Sequence, residues 1–160
     1  MTAGAPPVLI AYDGSSTARR AVRKTAELLG ARRALVVTVW EPALAYYAAD
    51  FSPAGPDMSP IPVDMERAHG IERELQDQAR RTAGDGAELA TSVGLEAEAL
   101  TVADEADVAE AIVELARERK VAAIVVGSRG LKGLRARLEG STSNAVLKLA
   151  PCPVIVVHDD

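Results

Sequence analysis

Short apolar runs alternate with amphipathic stretches along most of the chain. Four runs predict strands at residues 8–12, 34–40, 121–126 and 153–157. Apolar, mostly β-branched residues fill almost every position there, as in strands buried on both faces of a parallel sheet. A fifth run, residues 95–102, alternates apolar with polar residues, which predicts a strand at a sheet edge with one wetter face.

Between these runs, apolar residues recur at helical spacing. The pattern predicts helices from Ser15 or Ser16 to Leu29, from Asp64 to near Gly94, from Asp104 to Arg119, and from Ser141 to Leu149. Gly84 and Gly86 interrupt the second helix. Each glycine costs a helix about 1 kcal/mol relative to alanine, so one long helix is expected, with these glycines as the point where a bend is easiest.

The alternation of strands and helices predicts the fold class. It indicates a single α/β domain over residues 1–160, in which a five-stranded parallel sheet carries helices on both faces, as in Rossmann-like folds. Two segments lie outside the pattern: a loose N-terminus at 1–6, and a long loop at 41–63 with five prolines. Such a loop is more often a lid, an interaction segment or a disordered excursion than a plain connection.

The composition fits a globular domain and excludes several classes of partner. The chain has 160 residues, enough for one domain with a sizeable core. Its formal net charge of −5 argues against binding DNA or an anionic membrane, which needs a basic surface. The single cysteine, Cys152, excludes an internal disulfide, and no apolar run approaches the roughly 18 residues of a membrane span. A soluble cytoplasmic protein is therefore expected.

Glycines and hydroxyl residues follow the fourth predicted strand. Gly127 ends that strand, and the segment from Gly140 to Asn144 predicts a helix start, with Ser141 and Ser143 as capping residues. The free N–H groups of a first helical turn also attract anions, so both serines are candidate phosphate ligands as well. Neither the P-loop signature nor a dinucleotide-binding fingerprint occurs in the chain.

The spacing of these residues is specific. Gly127, Gly130, Gly140 and Ser141 form the pattern G-x2-G-x9-G-[ST] after the fourth strand. Asp13 follows the first strand, and the chain closes with PCPVIVV. In these features the chain resembles the universal stress protein family, and in particular its ATP-binding subgroup, from residue 8 to residue 157.

The resemblance implies a site for ATP and Mg²⁺. Backbone at Gly127 and Gly130 would pass close to the ribose and phosphates, and Gly140, Ser141 and Thr142 would hold the phosphates. Asp13 would face the ribose or a phosphate-bound Mg²⁺ as the metal ligand. Three apolar side chains would line the adenine pocket: Ala11, Val39 and Val126. Trp40, near the adenine edge, would either stack on the base or partly block it.

Each of these features also has a plainer interpretation. The glycines can be turn formers only, and Asp13 can be a helix cap. The basic side chains between the glycines are equally compatible with a phosphate clamp and with a solvated loop: Arg129, Lys132, Arg135 and Arg137.

The leading hypothesis is a cytoplasmic ATP-binding regulator whose output is nucleotide occupancy, because no catalytic triad, metal triad or paired acidic site stands out. One alternative is a slow ATPase or phosphotransfer enzyme that uses Asp13 and the basic loop. Another keeps the fold but binds AMP, cyclic AMP or nothing. The last strand, Pro153 to Val157, is expected at a sheet edge, and the resemblance implies an antiparallel homodimer through it.

Overall fold

The computed structural model describes residues 4–42, 65–104, 107–128 and 141–159. Along these residues, five strands and four helices follow one another in the order β1 (Val8–Ala11), α1 (Ser16–Leu29), β2 (Arg33–Trp40), α2 (Met65–Ser92), β3 (Glu96–Ala103), α3 (Val108–Glu118), β4 (Ala123–Gly127), α4 (Ser141–Leu149) and β5 (Val154–Val157). The strand predictions hold to within two residues. The predicted loop falls almost entirely outside the described residues, as do Gly130, Gly140 and the side chain of Ser141.

All five strands form one parallel sheet in the order β3-β2-β1-β4-β5. The prediction of a five-stranded parallel α/β domain is therefore confirmed. So are the two predicted edges, since among the described strands β3 pairs only with β2 and β5 only with β4. Glu96 and Glu98 of β3 are exposed, as charged side chains at a sheet edge commonly are.

Two hydrophobic cores cover the two faces of the sheet. On one face, side chains of α1 and α2 pack on Val8, Ile10, Val36 and Val125. On the other face, side chains of α3 and α4 pack on Leu9, Leu35, Val37 and Ile124. Alternate residues of the central strands thus enter opposite cores, which explains their continuous apolar sequence.

The ends of the helices follow local capping chemistry. Ser15 is the N-cap of α1, and its hydroxyl accepts a hydrogen bond from the Ala18 N–H at 3.1 Å. Gly30 ends the helix at a φ of +67°, a conformation that favours glycine. The predicted start of α3 at Asp104 is wrong: the helix begins at Val108, because Asp107 is the N-cap.

The second helix, α2, runs unbroken for 28 residues through its three interior glycines, Gly70, Gly84 and Gly86. An ideal Cβ on Gly84 would meet nothing within 4 Å, whereas one on Gly86 would lie 2.6 Å from Cδ1 of Tyr12 and 2.8 Å from Cγ1 of Val36. Gly86 therefore lets the helix approach the sheet closely. The sequence interpretation counted it only as an interruption. None of the helices in the described part of the chain is long and apolar enough to cross a membrane.

Candidate functional site

The winding of the chain reverses between β1 and β4. The chain moves from β1 outward through β2 to β3, and then returns to β4 on the other side of β1. The helices that follow β1 and β4, α1 and α4, cover opposite faces of the sheet. Such an arrangement opens a crevice between these strands at the carboxyl edge of the sheet. The crevice is where open parallel sheets bind ligands, and Asp13 and Gly127 stand at its two sides.

Asp13 leaves the end of β1 on a short turn. One carboxylate oxygen, Oδ1, accepts a hydrogen bond from the Ser15 N–H at 2.9 Å. Asp13 therefore holds the N-cap residue of α1 in place, while Ser15 itself caps the helix. The carboxylate is half-buried, and an ionised carboxylate accepts several hydrogen bonds. This structural role therefore leaves acceptor capacity for a ribose hydroxyl or a cation.

A buried hydrogen bond sets the direction in which the chain leaves β1. The Thr38 hydroxyl of β2 donates to the carbonyl oxygen of Tyr12 at 2.8 Å, and the Tyr12 N–H donates to the Val37 carbonyl at 2.9 Å. Tyr12 is 2% exposed and Thr38 is 7% exposed. Since the Tyr12 carbonyl immediately precedes Asp13, these two bonds position the acidic turn relative to β2.

The three predicted adenine-pocket residues lie on one face of the sheet, the face that packs against α3 and α4. Ala11 and Val126 are each 3% exposed, so in this structure they form the floor beneath the crevice. Val39 is half-buried and lies two positions beyond Val37, the partner of Ala11 in the sheet. Val39 is therefore the member of the three that a ligand can reach. Trp40, the next residue of β2, is half-buried and falls on the opposite face of the sheet by the alternation of a strand.

Gly127, the last residue of β4, is enclosed from two sides. An ideal Cβ there would lie 2.7 Å from Cγ2 of Thr17, so only glycine admits the first turn of α1 this close. On the other side, the Ser143 hydroxyl of α4 donates to the Gly127 carbonyl at 2.7 Å. Ser143 is 4% exposed. The Ser143 hydroxyl proton is thus engaged in a hydrogen bond that links α4 to the end of β4. This role differs from the helix capping that the sequence predicted for Ser143.

The C-terminal segment also reaches this corner of the molecule. The Ser128 N–H donates to the Val157 carbonyl at 2.8 Å, which extends the pairing of β4 and β5 by one residue. The Thr17 hydroxyl donates to Oδ1 of Asp159 at 2.6 Å. Thr17 is 2% exposed. Residues far apart in the chain therefore meet around Gly127 and Ser128.

The remaining candidate residues are placed as follows. Thr142 is half-buried in the first turn of α4, and Gly130, Gly140 and the side chain of Ser141 lie outside the described residues. Within the described ranges, no group of three or more His, Cys, Asp or Glu side chains could by itself hold a metal ion. The site therefore offers the Asp13 carboxylate and the N-terminus of α4 beside an apolar floor, with the Asp159 carboxylate bonded to Thr17 nearby. This arrangement is suited to a ligand that brings its own anionic groups.

Three residues at the site escaped the sequence interpretation: Thr17, Thr38 and Asp159. Thr17 occupies a position in the buried stripe of α1, and Thr38 occupies an inward position of an apolar strand. A hydroxyl at a core position is a weak signal that it bonds to something specific there. No sequence signal identified Asp159, because its partner is a residue 142 positions away.

The sequence is similar to that of one known protein family along nearly its whole length. The model of the universal stress protein family matches residues 5–158. A universal stress protein of Thermus aquaticus is 34% identical over 160 aligned residues, which cover 94% of this chain and 97% of that protein. The universal stress protein YxiE of Bacillus subtilis is 35% identical over 88 residues, 55% of this chain; that match spans 58% of the relative's length.

Three similar solved structures are complexes with nucleotides. One is a universal stress protein in complex with cAMP, 22% identical with a TM-score of 0.59, covering 98% of both chains. Another is the Archaeoglobus fulgidus protein in complex with dAMP, 24% identical with a TM-score of 0.54, covering 96% of this chain and 97% of that one. The third is an Arabidopsis thaliana protein with AMP bound, 18% identical with a TM-score of 0.60, covering 96% and 92%.

At these identities the structural likeness shows a shared fold, while the family match rests on the sequence along nearly the whole chain. The chain belongs to the universal stress protein family.

Proposed function

We propose that this protein binds ATP, with Mg²⁺, in the crevice between β1 and β4, and that nucleotide occupancy is its output as a cytoplasmic stress-response regulator. The observation that carries the proposal is the position of the glycine pattern. The pattern G-x2-G-x9-G-[ST] starts at Gly127, at the end of β4, and reaches the first residue of α4 at Ser141. A helix N-terminus beside the switch point of a parallel sheet is a favourable place for phosphate groups.

A second candidate ligand is a nucleoside monophosphate. The descriptions of three structural relatives name cAMP, dAMP and AMP. All three ligands share the adenine base, which fits an apolar surface that Val39 would contribute, but they carry only one phosphate. The glycine pattern favours a longer phosphate chain, so we place ATP first and AMP or cyclic AMP second.

The residues present fit Mg²⁺ held mainly by phosphate. Mg²⁺ usually keeps several waters and is bound by one or two carboxylates together with substrate phosphates. Asp13 would supply the carboxylate, because its Oδ1 accepts a hydrogen bond from the Ser15 N–H and an ionised carboxylate can accept several more. The described residues offer no all-protein cage, so we expect Mg²⁺ binding to depend on nucleotide.

Isothermal titration calorimetry with ATP, ADP, AMP and cyclic AMP, each with and without Mg²⁺, tests the ligand. The proposal predicts the tightest binding for ATP with Mg²⁺. Tighter binding of AMP or cyclic AMP would favour the second candidate, and the absence of heat with all four nucleotides would refute nucleotide binding altogether.

Gly140→Val tests whether the glycine pattern forms the phosphate site. A valine side chain would occupy space that backbone and phosphate are expected to share, so ATP binding should be lost while the fold remains. Gly4→Val is the matched control, since a Cβ on Gly4 would meet nothing within 4 Å. Equal ATP affinity in the two variants would mean that phosphate binds elsewhere.

A hydrolytic or phosphotransfer role makes a separate prediction. Phosphate release that continues over many turnovers of purified protein would favour the enzyme, whereas release of less than one equivalent would favour a binding protein.

We also propose a homodimer through β5. In the monomer, Val154, Ile155 and Val156 are half-buried at an edge that pairs with β4 alone, and Leu147 of α4 is 50% exposed nearby in the chain. An apolar edge strand readily pairs with a second copy. Light scattering at micromolar concentration should give about twice the chain mass of 16.8 kDa; a mass near that of one chain would contradict the dimer.

A further inference from the structure

Thr17 lies between the end of β4 and the C-terminal segment. Its methyl group, Cγ2, packs against Gly127 so closely that a Cβ on the glycine would stand 2.7 Å away. Its hydroxyl donates to Oδ1 of Asp159 at 2.6 Å. The side chain is 2% exposed, so the hydroxyl has little access to water and depends on a partner within the protein.

The same C-terminal segment holds the next residue of the loop. The Ser128 N–H donates to the Val157 carbonyl at 2.8 Å. Two hydrogen bonds therefore join a stretch of three residues to the base of the proposed phosphate loop. One is made directly to Ser128, and the other is made to Thr17, whose methyl group packs against Gly127. On the far side, the Ser143 hydroxyl holds the Gly127 carbonyl.

We infer that residues 157–159 form a C-terminal clamp that positions the base of the nucleotide loop, with Asp159 as a positioning residue acting through Thr17. The inference rests on the proposed function for its ligand, an adenine nucleotide, and goes beyond it by assigning a role to the chain terminus. A loop that is held in its binding geometry before the ligand arrives loses less conformational entropy on binding. The clamp therefore raises nucleotide affinity.

The hydrogen bond is suited to this role. A carboxylate acceptor makes a shorter and stronger bond than a neutral one. Its partner is buried, so losing the bond leaves a hydroxyl without water inside the contact between α1 and β4. Water can reach this hydroxyl only if α1 shifts away from Gly127. Such a shift changes the position of Gly127, where the loop begins.

The test compares four variants by calorimetric titration with ATP and Mg²⁺. Asp159→Ala removes the acceptor, and Thr17→Val removes the hydroxyl but keeps the methyl group against Gly127. Each should weaken nucleotide binding about five- to tenfold, within the range of measured coupling between sites. The double variant should bind no more weakly than either single one, because both changes break the same bond. Asp159→Asn, which keeps an acceptor oxygen, should restore most of the affinity.

Thr25→Val is the matched control. Thr25 is also a buried threonine of α1, 1% exposed, and its hydroxyl bonds within the helix to the Ala21 carbonyl at 2.8 Å. This variant should lose stability without losing affinity. An equal loss of affinity in Thr25→Val and Thr17→Val would overturn the clamp, and so would tighter binding in both Asp159 variants, which would show that the carboxylate acts only by repelling phosphate.

Hydrogen exchange in the absence of nucleotide separates this inference from the proposed function. Asp159→Ala should speed amide exchange at Gly127, Ser128 and the first turn of α1, and leave β3 unchanged. Unchanged exchange at Gly127 and Ser128 would refute the clamp whether or not the protein binds nucleotide. If the wild-type protein bound no nucleotide while Asp159→Ala still showed the faster exchange, the proposed function would be refuted, and with it the effect of the clamp on affinity.

Discussion

Replacing Gly86 by alanine would place a methyl group where α2 lies closest to the sheet. The new Cβ would stand 2.6 Å from Cδ1 and 2.8 Å from Cγ of the Tyr12 ring, and 2.8 Å from Cγ1 of Val36. Carbon atoms in good contact are about 3.5–4.0 Å apart, so the helix and the sheet would have to separate by roughly 1 Å. Tyr12 is 2% exposed and Val36 is fully buried, which leaves neither side chain room to rotate away.

Two opposing free energies decide the outcome. Alanine favours a helix interior by about 1 kcal/mol over glycine, whereas overpacking a filled core typically costs about 1–3 kcal/mol. Three close contacts to buried atoms place Gly86→Ala near the upper end of that cost. We therefore expect the free energy of unfolding to fall by about 2 kcal/mol, which corresponds to a Tm lower by roughly 4–8 °C in a chain of this size.

Gly84→Ala is the internal control, two residues earlier in the same helix. A Cβ there meets nothing within 4 Å, so only helix propensity acts and stability should rise by up to about 1 kcal/mol. Urea unfolding followed by far-ultraviolet circular dichroism measures the stability of both variants. A shift in the urea midpoint reports the change in stability, provided that the dependence of the unfolding free energy on urea concentration is unchanged. If Gly86→Ala proved as stable as Gly84→Ala, the close approach of α2 to the sheet would be refuted.

Three further predictions concern single side chains. Ser143→Ala removes the donor to the partly buried Gly127 carbonyl, so the free energy of unfolding should fall by about 1 kcal/mol; no change in the urea midpoint would contradict this. Asp107→Ala removes the N-cap of α3, which accepts from the Ala109 N–H at 2.7 Å, and should cost about 1 kcal/mol in the same assay, with Asn retaining most of the stability. Burial raises the pKa of the Cys152 thiol, so at pH 8.5 less of it is thiolate than in the unfolded chain. Native protein should then react with a disulfide reagent more slowly than protein in urea, and equal rates would argue against a protonated thiol.

The order of the strands and helices could be predicted from the sequence because each has its own local pattern of apolar and polar residues. Of the five strands in the described residues, apolar runs identified four and an alternating run identified the fifth, and the spacing of apolar residues indicated the four helices. Parallel pairing followed from the alternation of the two. Even the edge position of β3 was visible, since its alternating polar residues required one face near water.

Local pattern also located the candidate site, though not its contacts. Asp13, Val39 and Gly127 each lie within two residues of the carboxyl end of a strand. Parallel strands end at the same edge of the sheet, so the proximity of these residues followed from the fold class. The solvent accessibility of the site residues did not follow from the fold class. Ala11 and Val126 are buried beneath the crevice, and Trp40 turns to the opposite face. These differences depend on which helices cover each strand, and periodicity within one strand does not report that.

Only the tertiary structure decided the close approaches. Gly86 meets Tyr12, Thr17 meets Gly127, and Asp159 bonds to Thr17 across 142 positions of sequence. The local sequence around a helical glycine or a threonine in an apolar stripe does not show whether another helix or strand packs closely against that residue. Periodicity states which side of an element is buried. The distance to what covers it depends on how helix and sheet pack together, and that distance gives Gly86, Gly127 and the C-terminal residues their roles.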